Sequence, residues 1–499
     1  MVYTLSSLLK TTLRGQSAQS LTIGIFIGAI AVSLALLLVI AGPVIAFGAV
    51  LGMGAGLYIL TNLTAGLYAV FAVVALLPFA TLPVRVALTP TILDLALAGF
   101  LLVYLFQWMT AKRPRFRLVP AGALILLFAG FMLFSFVAGL GHAALTANIL
   151  RKFAEMVVTV CLPIVLIDVL RDAQVLRRAT LVLVLMGAAQ ALIGVGLYAL
   201  NDTTAERALN ALGRFGYPQG GVIRYVEDDP SQGERAIGTW VDPNAYGGFL
   251  LMIGALAGVQ ALSTRPVTGS SRLGRGAAWG ICILVGGAVL LTGSRGALLA
   301  LGVAVLFVAV LRYRWLLVAG VIGGLIVLSL PFMQRYLERL SEGFAGEDLA
   351  TQMRFGEYKD ALTLIGRYPL IGVGFAGSPD RDIYLGVSST YLKIAGATGL
   401  TGLGLFLLTM AEVFRYGLRR WRAIRADPDL LPIWLGATAG IVGALISGVV
   451  DHYYFNLEFQ GAATMLWVFV GLSLAAARTV SDNGLIIHKI TVPPRRFTR

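Results

Sequence analysis

The chain has 499 residues, 58% hydrophobic and 13% charged, with a mean hydropathy of +0.84 and a formal net charge of +14. Soluble domains carry roughly 25% charged residues, so the composition excludes an ordinary soluble enzyme and points to lipid as solvent. The basic excess does not cluster with aromatics in a soluble patch, which excludes a nucleic-acid partner. Cys161 and Cys282 lie inside apolar runs without CxxC or HExxH patterns, so neither a disulfide nor a metal site is expected.

In chain order, residues 15–84 contain no Asp, Glu, Lys or Arg. A spanning helix takes about 20 apolar residues. This stretch therefore predicts spans at 21–41, 43–60 and 65–82, divided at Gly42-Pro43 and Thr61-Asn62. The apolarity continues too far for a cleavable signal peptide. Further spans follow at 91–108, 118–139, 153–170 and 178–199, then, after a polar segment 200–235, at 236–262, 277–292, 296–312 and 314–331. A long polar segment 332–388 precedes the last three, 389–411, 432–449 and 460–477. The fold class expected is all-α, a polytopic membrane protein of about fourteen spans with short helices in the large loop. Residues 21–60 and 277–312 are also compatible with long hairpins or re-entrant elements.

Charge sets the orientation. Lys112–Arg117, Arg171–Arg178, Arg265–Arg275, Arg415–Arg425 and the tail after 477 are strongly basic and alternate with poorly charged turns. Short basic loops stay in the cytoplasm, which puts both termini inside. Segments 200–235, 293–296, 332–388 and 450–459 then share the outer face. The organisation expected is residues 1–235 as N-terminal helices plus the first outer loop, 236–477 as a membrane domain including loop 332–388, and 478–499 as a basic cytoplasmic tail.

Four segments are candidates for chemistry. Gly238-Thr-Trp-Val-Asp-Pro-Asn-Ala245 opens a long apolar run. It reads either as a plain helix N-cap with Pro in the first turn or as an anion site at a helix N-terminus, with Asp242 and Asn244 orienting a sugar. Leu291-Thr-Gly-Ser-Arg-Gly-Ala297 puts Arg295 between two apolar runs. That Arg is either a snorkelling side chain at a hairpin or a phosphate clamp, since guanidinium matches phosphate oxygens. From Arg354 the spacing predicts a helix with Arg354, Glu357 and Tyr358 on one face and Ala361, Leu362 and Ile365 continuing it. A Gly-rich turn follows at Gly372, Gly374 and Gly377. It lacks the GK[ST] ending of a nucleotide loop, and the bland alternative is a helix lying on the membrane surface. Asp451-His-Tyr-Tyr-Phe-Asn456 reads as an interfacial aromatic belt or as a place where His452 relays a proton.

These segments, in this order, resemble the O-antigen ligase/polymerase superfamily of bacterial surface-glycan assembly. The resemblance is carried by G-T-W-x-D-P-N-A, by T-G-S-R-G-A and by R-x-x-x-x-x-D-A-x-x-x-I-x-x-x-P-L-I-G-V-G. Ser388-Ser-Thr-Tyr-Leu-Lys-Ile-Ala-Gly-Ala-Thr-Gly-Leu-Thr-Gly-Leu403 completes it, over roughly residues 236–475. It implies a metal-independent glycosyltransferase of the bacterial cytoplasmic membrane with no cofactor. The donor would be a glycan on a polyprenyl diphosphate such as undecaprenyl diphosphate, and the acceptor a glycan or lipid hydroxyl. Arg295 and Arg354 stand where the family has its diphosphate-holding arginines. The family's His-Asn before Tyr-Leu is replaced here by Ser388-Ser389, and serine is no base at neutral pH. His452 or Glu357 is expected to substitute, with Asp242, Asn244, Ser388, Tyr391 and Asp451 contacting substrate. The lost His-Asn pair inclines the reading towards polymerase over ligase. A lipid-linked oligosaccharide flippase or other transporter is the alternative; it calls for broken midplane helices and internal repeats, and no repeat between the halves is visible.

Overall fold

The computed structural model describes residues 32, 54, 56–82, 89–113, 118–328, 349–378, 380 and 386–491. The predicted span 21–41, apart from residue 32, and most of 43–60 lie outside these residues, as does all of 329–348. The chain divides into two compact units, Met1–Gly66 and Leu67–Arg499. In the first, residues 56–61 are helical and Asn62 ends the run. Its side-chain oxygen accepts the N–H groups of Thr64 (3.0 Å) and Ala65 (3.2 Å) and so starts the next helix.

Helices dominate the described part of the second unit. α1 (Leu63–Leu76), α2 (Ile92–Met109), α3 (Pro120–Ala138), α4 (Ala147–Val169) and α5 (Ala173–Ala199) come first. Thr91 and Asp94 form a reciprocal capping box at α2, and Asp172 caps α5, so the starts follow from short polar side chains that satisfy orphan N–H groups. A short α6 (Asp202–Asn210) leads to a two-stranded hairpin, β1 (Arg224–Tyr225) with β2 (Glu234–Arg235), in the register Arg224↔Arg235. Then follow α7 (Pro243–Leu262), α8 (Arg272–Leu291), α9 (Arg295–Leu311), α10 (Trp315–Leu328), α11 (Leu349–Arg367), α12 (Thr390–Leu418), α13 (Trp421–Ala426), α14 (Leu431–Ser447) and α15 (Gln460–Thr491).

Among the described residues seven helices are long and apolar enough to cross a membrane, and four shorter apolar helices accompany them. α4 has spanning length but carries Arg151, Lys152, Glu155 and Asp168. It begins at Ala147 rather than at the expected 153, because Thr146 caps it and its charges are paired. Arg151 meets Asp94 at 2.5 Å, Lys152 pairs with Glu458, and Asp168 meets Arg113 at 2.8 Å. α15 runs past the expected end at 477, since loss of apolarity ends a span but not a helix.

The spanning stretches of α7 and α15 are the most buried of the seven, at 83% and 100%. α14 lies against α7 through glycines: a Cβ on Gly436 would stand 3.0 Å from Leu256 Cα, and one on Gly440 3.3 Å from the Met252 carbonyl oxygen. Close approach through small residues is how helices gain contact where lipid removes the hydrophobic drive.

Two opposite ends of this unit are defined by contacts between loops. At one, Arg113 meets Asp168 and Arg177 bonds Asp429 (2.8 Å) and the Pro266 carbonyl (3.0 Å), which gathers the basic connections. At the other, Thr81 N–H donates to the Phe215 carbonyl, Ala236 N–H to Leu291, and Thr390 N–H to Gly448. Of the polar segments, 332–388 and 450–459 meet through Arg354 and Asp451, and Gly296 of 293–296 lies against Asp451.

A break in α12 shapes that end. Gly399 takes φ +67°, ψ −179° inside the helix. The interruption strands the carbonyls of Gly396 and Ala397, which accept the N–H groups of Val373 and Gly374 at 2.9 Å each. Leu400 N–H, freed in turn, donates to the Pro369 carbonyl at 2.7 Å, and Ser135 Oγ adds a bond to the Ala397 oxygen at 2.7 Å. Gly372 and Gly374 have φ of +74° and +80°, which is why the Pro-Leu-Ile-Gly-Val-Gly turn needs glycine. The Gly-rich turn is the plug of a helix break.

Candidate active site

The site grows from the starts of α7 and α9. Asp242 caps α7, its Oδ1 accepting Asn244 N–H at 2.9 Å and Ala245 N–H at 2.8 Å, with Pro243 at the first helical position. These contacts are the N-cap reading of the Asp-Pro-Asn segment. Asn244 has a further partner: its Oδ1 accepts Arg235 Nη2 at 2.8 Å. Arg235 Nε donates to the Thr292 carbonyl at 2.8 Å, so one guanidinium ties β2, α7 and the turn before α9. Arg235 was not singled out from the sequence. It lies nine residues before Asn244, a spacing without a motif, and only the hairpin brings it back.

Ser294 caps α9 through Ala297 N–H, which makes Arg295 its first residue, half-buried. The adjoining Gly296 leaves room for the loop after α14: a Cβ there would stand 3.2 Å from Asp451 Oδ2 and 3.0 Å from Val450 Cγ2. The Asp451 carboxyl thus lies on the first turn of α9, next to Arg295 in sequence. From the other side, Arg354 Nη2 of α11 reaches Asp451 Oδ1 at 3.8 Å. The Asp451 backbone oxygen accepts both the N–H and Oγ1 of Thr390, at 2.9 Å each, locking the loop to the start of α12.

The electrostatics follow from burial. The Asp451 side chain is 10% exposed. Burial, assisted by Asp242 and Glu357 and opposed by Arg354 and Arg235, pushes its carboxyl up to about 7. Desolvation outweighs the arginines because the Arg354 contact is long. His452 moves the other way: burial, with Lys393 and Arg354 nearby, lowers it to about 4, so it is neutral at pH 7. Its Nδ1 lies 3.0 Å from Asn456 Nδ2. An amide N–H donating there puts the ring proton on Nε2, leaving His452 a donor rather than a base.

The other predicted residues hold backbone. Glu357 Oε2 accepts Ser388 N–H at 2.8 Å, and Tyr358 OH donates to the Ser388 carbonyl at 3.1 Å. The face shared by Arg354, Glu357 and Tyr358 is therefore used as the helical spacing suggested. Tyr391 OH donates to the Leu445 carbonyl at 2.7 Å, fastening α12 to α14. His142, in the turn after α3, bonds the Val373 carbonyl at 2.9 Å and lies with the helix-break plug.

The arrangement brings Arg354 and Asp451 together at the start of α9, with Arg235 bound to Asn244 alongside. It offers cations with a fixed fork of donors, a buried carboxyl that changes charge near neutrality, and the open first turn of a helix. Such a group suits an anionic leaving group and a hydroxyl that must lose a proton.

A search of curated proteins returns no match to the chain. Residues 280–407 match the family model described as O-antigen ligase, about a quarter of the chain, from within α8 into α12. The match contains Arg295, Arg354, Glu357, Ser388 and Tyr391, while Arg235, Asp242, Asn244, Asp451 and His452 lie outside it. Residues 280–407 are thus an O-antigen-ligase-like segment of the chain.

Proposed function

We propose that this protein transfers a glycan from a polyprenyl-diphosphate carrier to a hydroxyl of a glycan or lipid acceptor, at the outer face of the bacterial cytoplasmic membrane and with both termini inside. The observation that carries the reading is the Asp451 carboxyl held between Arg354 and the first turn of α9 beside Arg295. The ligase-type segment supplies the reaction class.

In the proposed reaction the acceptor oxygen attacks the anomeric carbon of the donor sugar. The bond from that carbon to the phosphate oxygen breaks, and its electron pair leaves with the diphosphate. Arg354 and Arg295 bind the oxygens on which charge develops, an interaction stronger in the transition state than in the ground state. The acceptor proton passes to Asp451, whose pKa of about 7 suits a base working near neutrality. Asp451 takes the role that the sequence reading gave to His452 or Glu357, since His452 is a donor and Glu357 holds the Ser388 backbone.

Deleting the gene in its host and profiling surface glycans tests the reading. Single repeat units in place of long chains mark a polymerase, and full-length polymer left on its lipid carrier marks a ligase. An unchanged glycan profile sinks the proposal.

A further inference from the structure

One cavity at the polar end of the second unit is unused by the reaction above. It encloses about 290 Å³ between α11, the helix-break plug, the first turn of α12 and the loop before α15. Its walls are mainly apolar, with Leu364, Phe375 and Phe455 prominent, the two rings 6.0 Å apart between centroids. Into this lining the chain places Lys393, five residues past Ser388.

Among the described residues the Lys393 ammonium has no hydrogen bond and no ion pair within 4 Å. Glu458 also lines the cavity, but its carboxylate is paired with Lys152. Asn456 lines it too, while its Oδ1 accepts Glu458 N–H at 3.0 Å and its Nδ2 faces His452. An ammonium in apolar surroundings with no anion at contact distance is costly, and a ligand that supplies the anion recovers that cost.

Size and charge narrow the ligand. The volume is at the low end of the range of about 300–1,000 Å³ for small-molecule sites, which suits a sugar ring and not a long prenyl chain. The carboxylates that act on Lys393 from farther off, Glu458 and Glu357, are engaged by Lys152 and by the Ser388 N–H, so the ammonium has room for one carboxylate at contact, whereas a phosphate dianion would face Glu458. Aromatic walls, a carboxamide and a lone cation suit the apolar and polar faces of a sugar acid. Asn456 links the cavity to His452 and so to Asp451, one residue from the reacting centre.

We propose that this cavity is a subsite for a sugar residue bearing a carboxylate, of the uronic-acid type, in the glycan being transferred or extended, with Lys393 as the residue that selects it. The inference rests on the transfer reading for the identity of the glycan, but its test is binding alone. Full-length protein in detergent micelles is titrated with methyl glucuronoside and methyl glucoside, followed by saturation-transfer NMR. Wild type is expected to bind the glucuronoside at least tenfold more tightly. Lys393→Met, which keeps the apolar stem, is expected to bring the two within about twofold, and Lys393→Arg to keep the preference; elution as a single species confirms that each variant is folded. Equal binding of the two sugars by wild type, or a preference unchanged in Lys393→Met, overturns the proposal. So does displacement of the glucuronoside by phosphatidylglycerol micelles at lower concentration than by free glucuronate, which would make the site one for lipid headgroups. Should gene deletion alter surface glycans while both sugars bind alike, the acid-sugar subsite fails and the transfer reading stands. The converse pair of results removes the transfer reading and keeps the subsite.

Discussion

Asp451 lies under opposing pressures. Burial favours its neutral form, whereas Arg354 and Arg235 favour the anion, and the balance near 7 lets it change charge at working pH. Transfer is therefore expected to rise with pH through about 7 and level off above, and Asp451→Asn to abolish both transfer and that rise; a wild-type profile flat from pH 5 to 9 removes Asp451 as the proton acceptor. The stability consequence has the opposite sign. A carboxyl whose folded-state pKa lies above its ordinary 3.8 stabilises the fold below that value, and the contribution is lost as pH rises through about 7. The melting temperature of wild type should thus fall between pH 6 and pH 8 more than that of Asp451→Asn. The arginines make a second prediction. Arg295→Lys and Arg354→Lys should each lower transfer by ~10²–10³ at normal protein level, because an ammonium does not reproduce the guanidinium fork. Full activity in both variants removes the diphosphate clamp.

At the scale of elements, the break in α12 and the turn that plugs it are one device. The Gly396 and Ala397 carbonyls and the Leu400 N–H freed at Gly399 are answered from Pro369–Gly374, and the turn carries α11, and with it Arg354 and Glu357, to its place over Asp451. Gly399→Ala places a Cβ on the Leu370 carbonyl at a positive φ. Strain of about 1–3 kcal/mol is expected from the backbone alone. Thermal unfolding in detergent should show a clear drop, and transfer should fall with it because Arg354 moves. An unchanged melting curve contradicts the lock. The sequence placed a Gly-rich turn here and excluded a nucleotide loop, but its partner lies some 25 residues on within a helix that reads as continuous. No local pattern announces such a bond.

For the molecule as a whole, loop contacts place the basic connections at one end of the second unit and the polar segments at the other. The charge rule predicts that the basic end is cytoplasmic. In a Cys161→Ser, Cys282→Ser background, Ser231→Cys should react with an impermeant maleimide in intact spheroplasts, and Arg422→Cys only after permeabilisation. The reverse pattern inverts the topology and removes the outer face as the place of transfer.

The sequence by itself determined that this is a helical membrane protein, where its polar segments fall along the chain, and that Asp242, Thr146 and Ser294 start helices. Those features are local: apolar run length, capping residues and short motifs are fixed by neighbours along the chain. Tertiary structure alone decided that Arg235 bonds Asn244, that Glu357 holds the Ser388 backbone, that Asp451 is buried against Arg354, and that Lys393 enters a cavity. Each depends on residues far apart in sequence meeting across a close-packed end, where desolvation changes what a carboxyl, an imidazole or an ammonium can do.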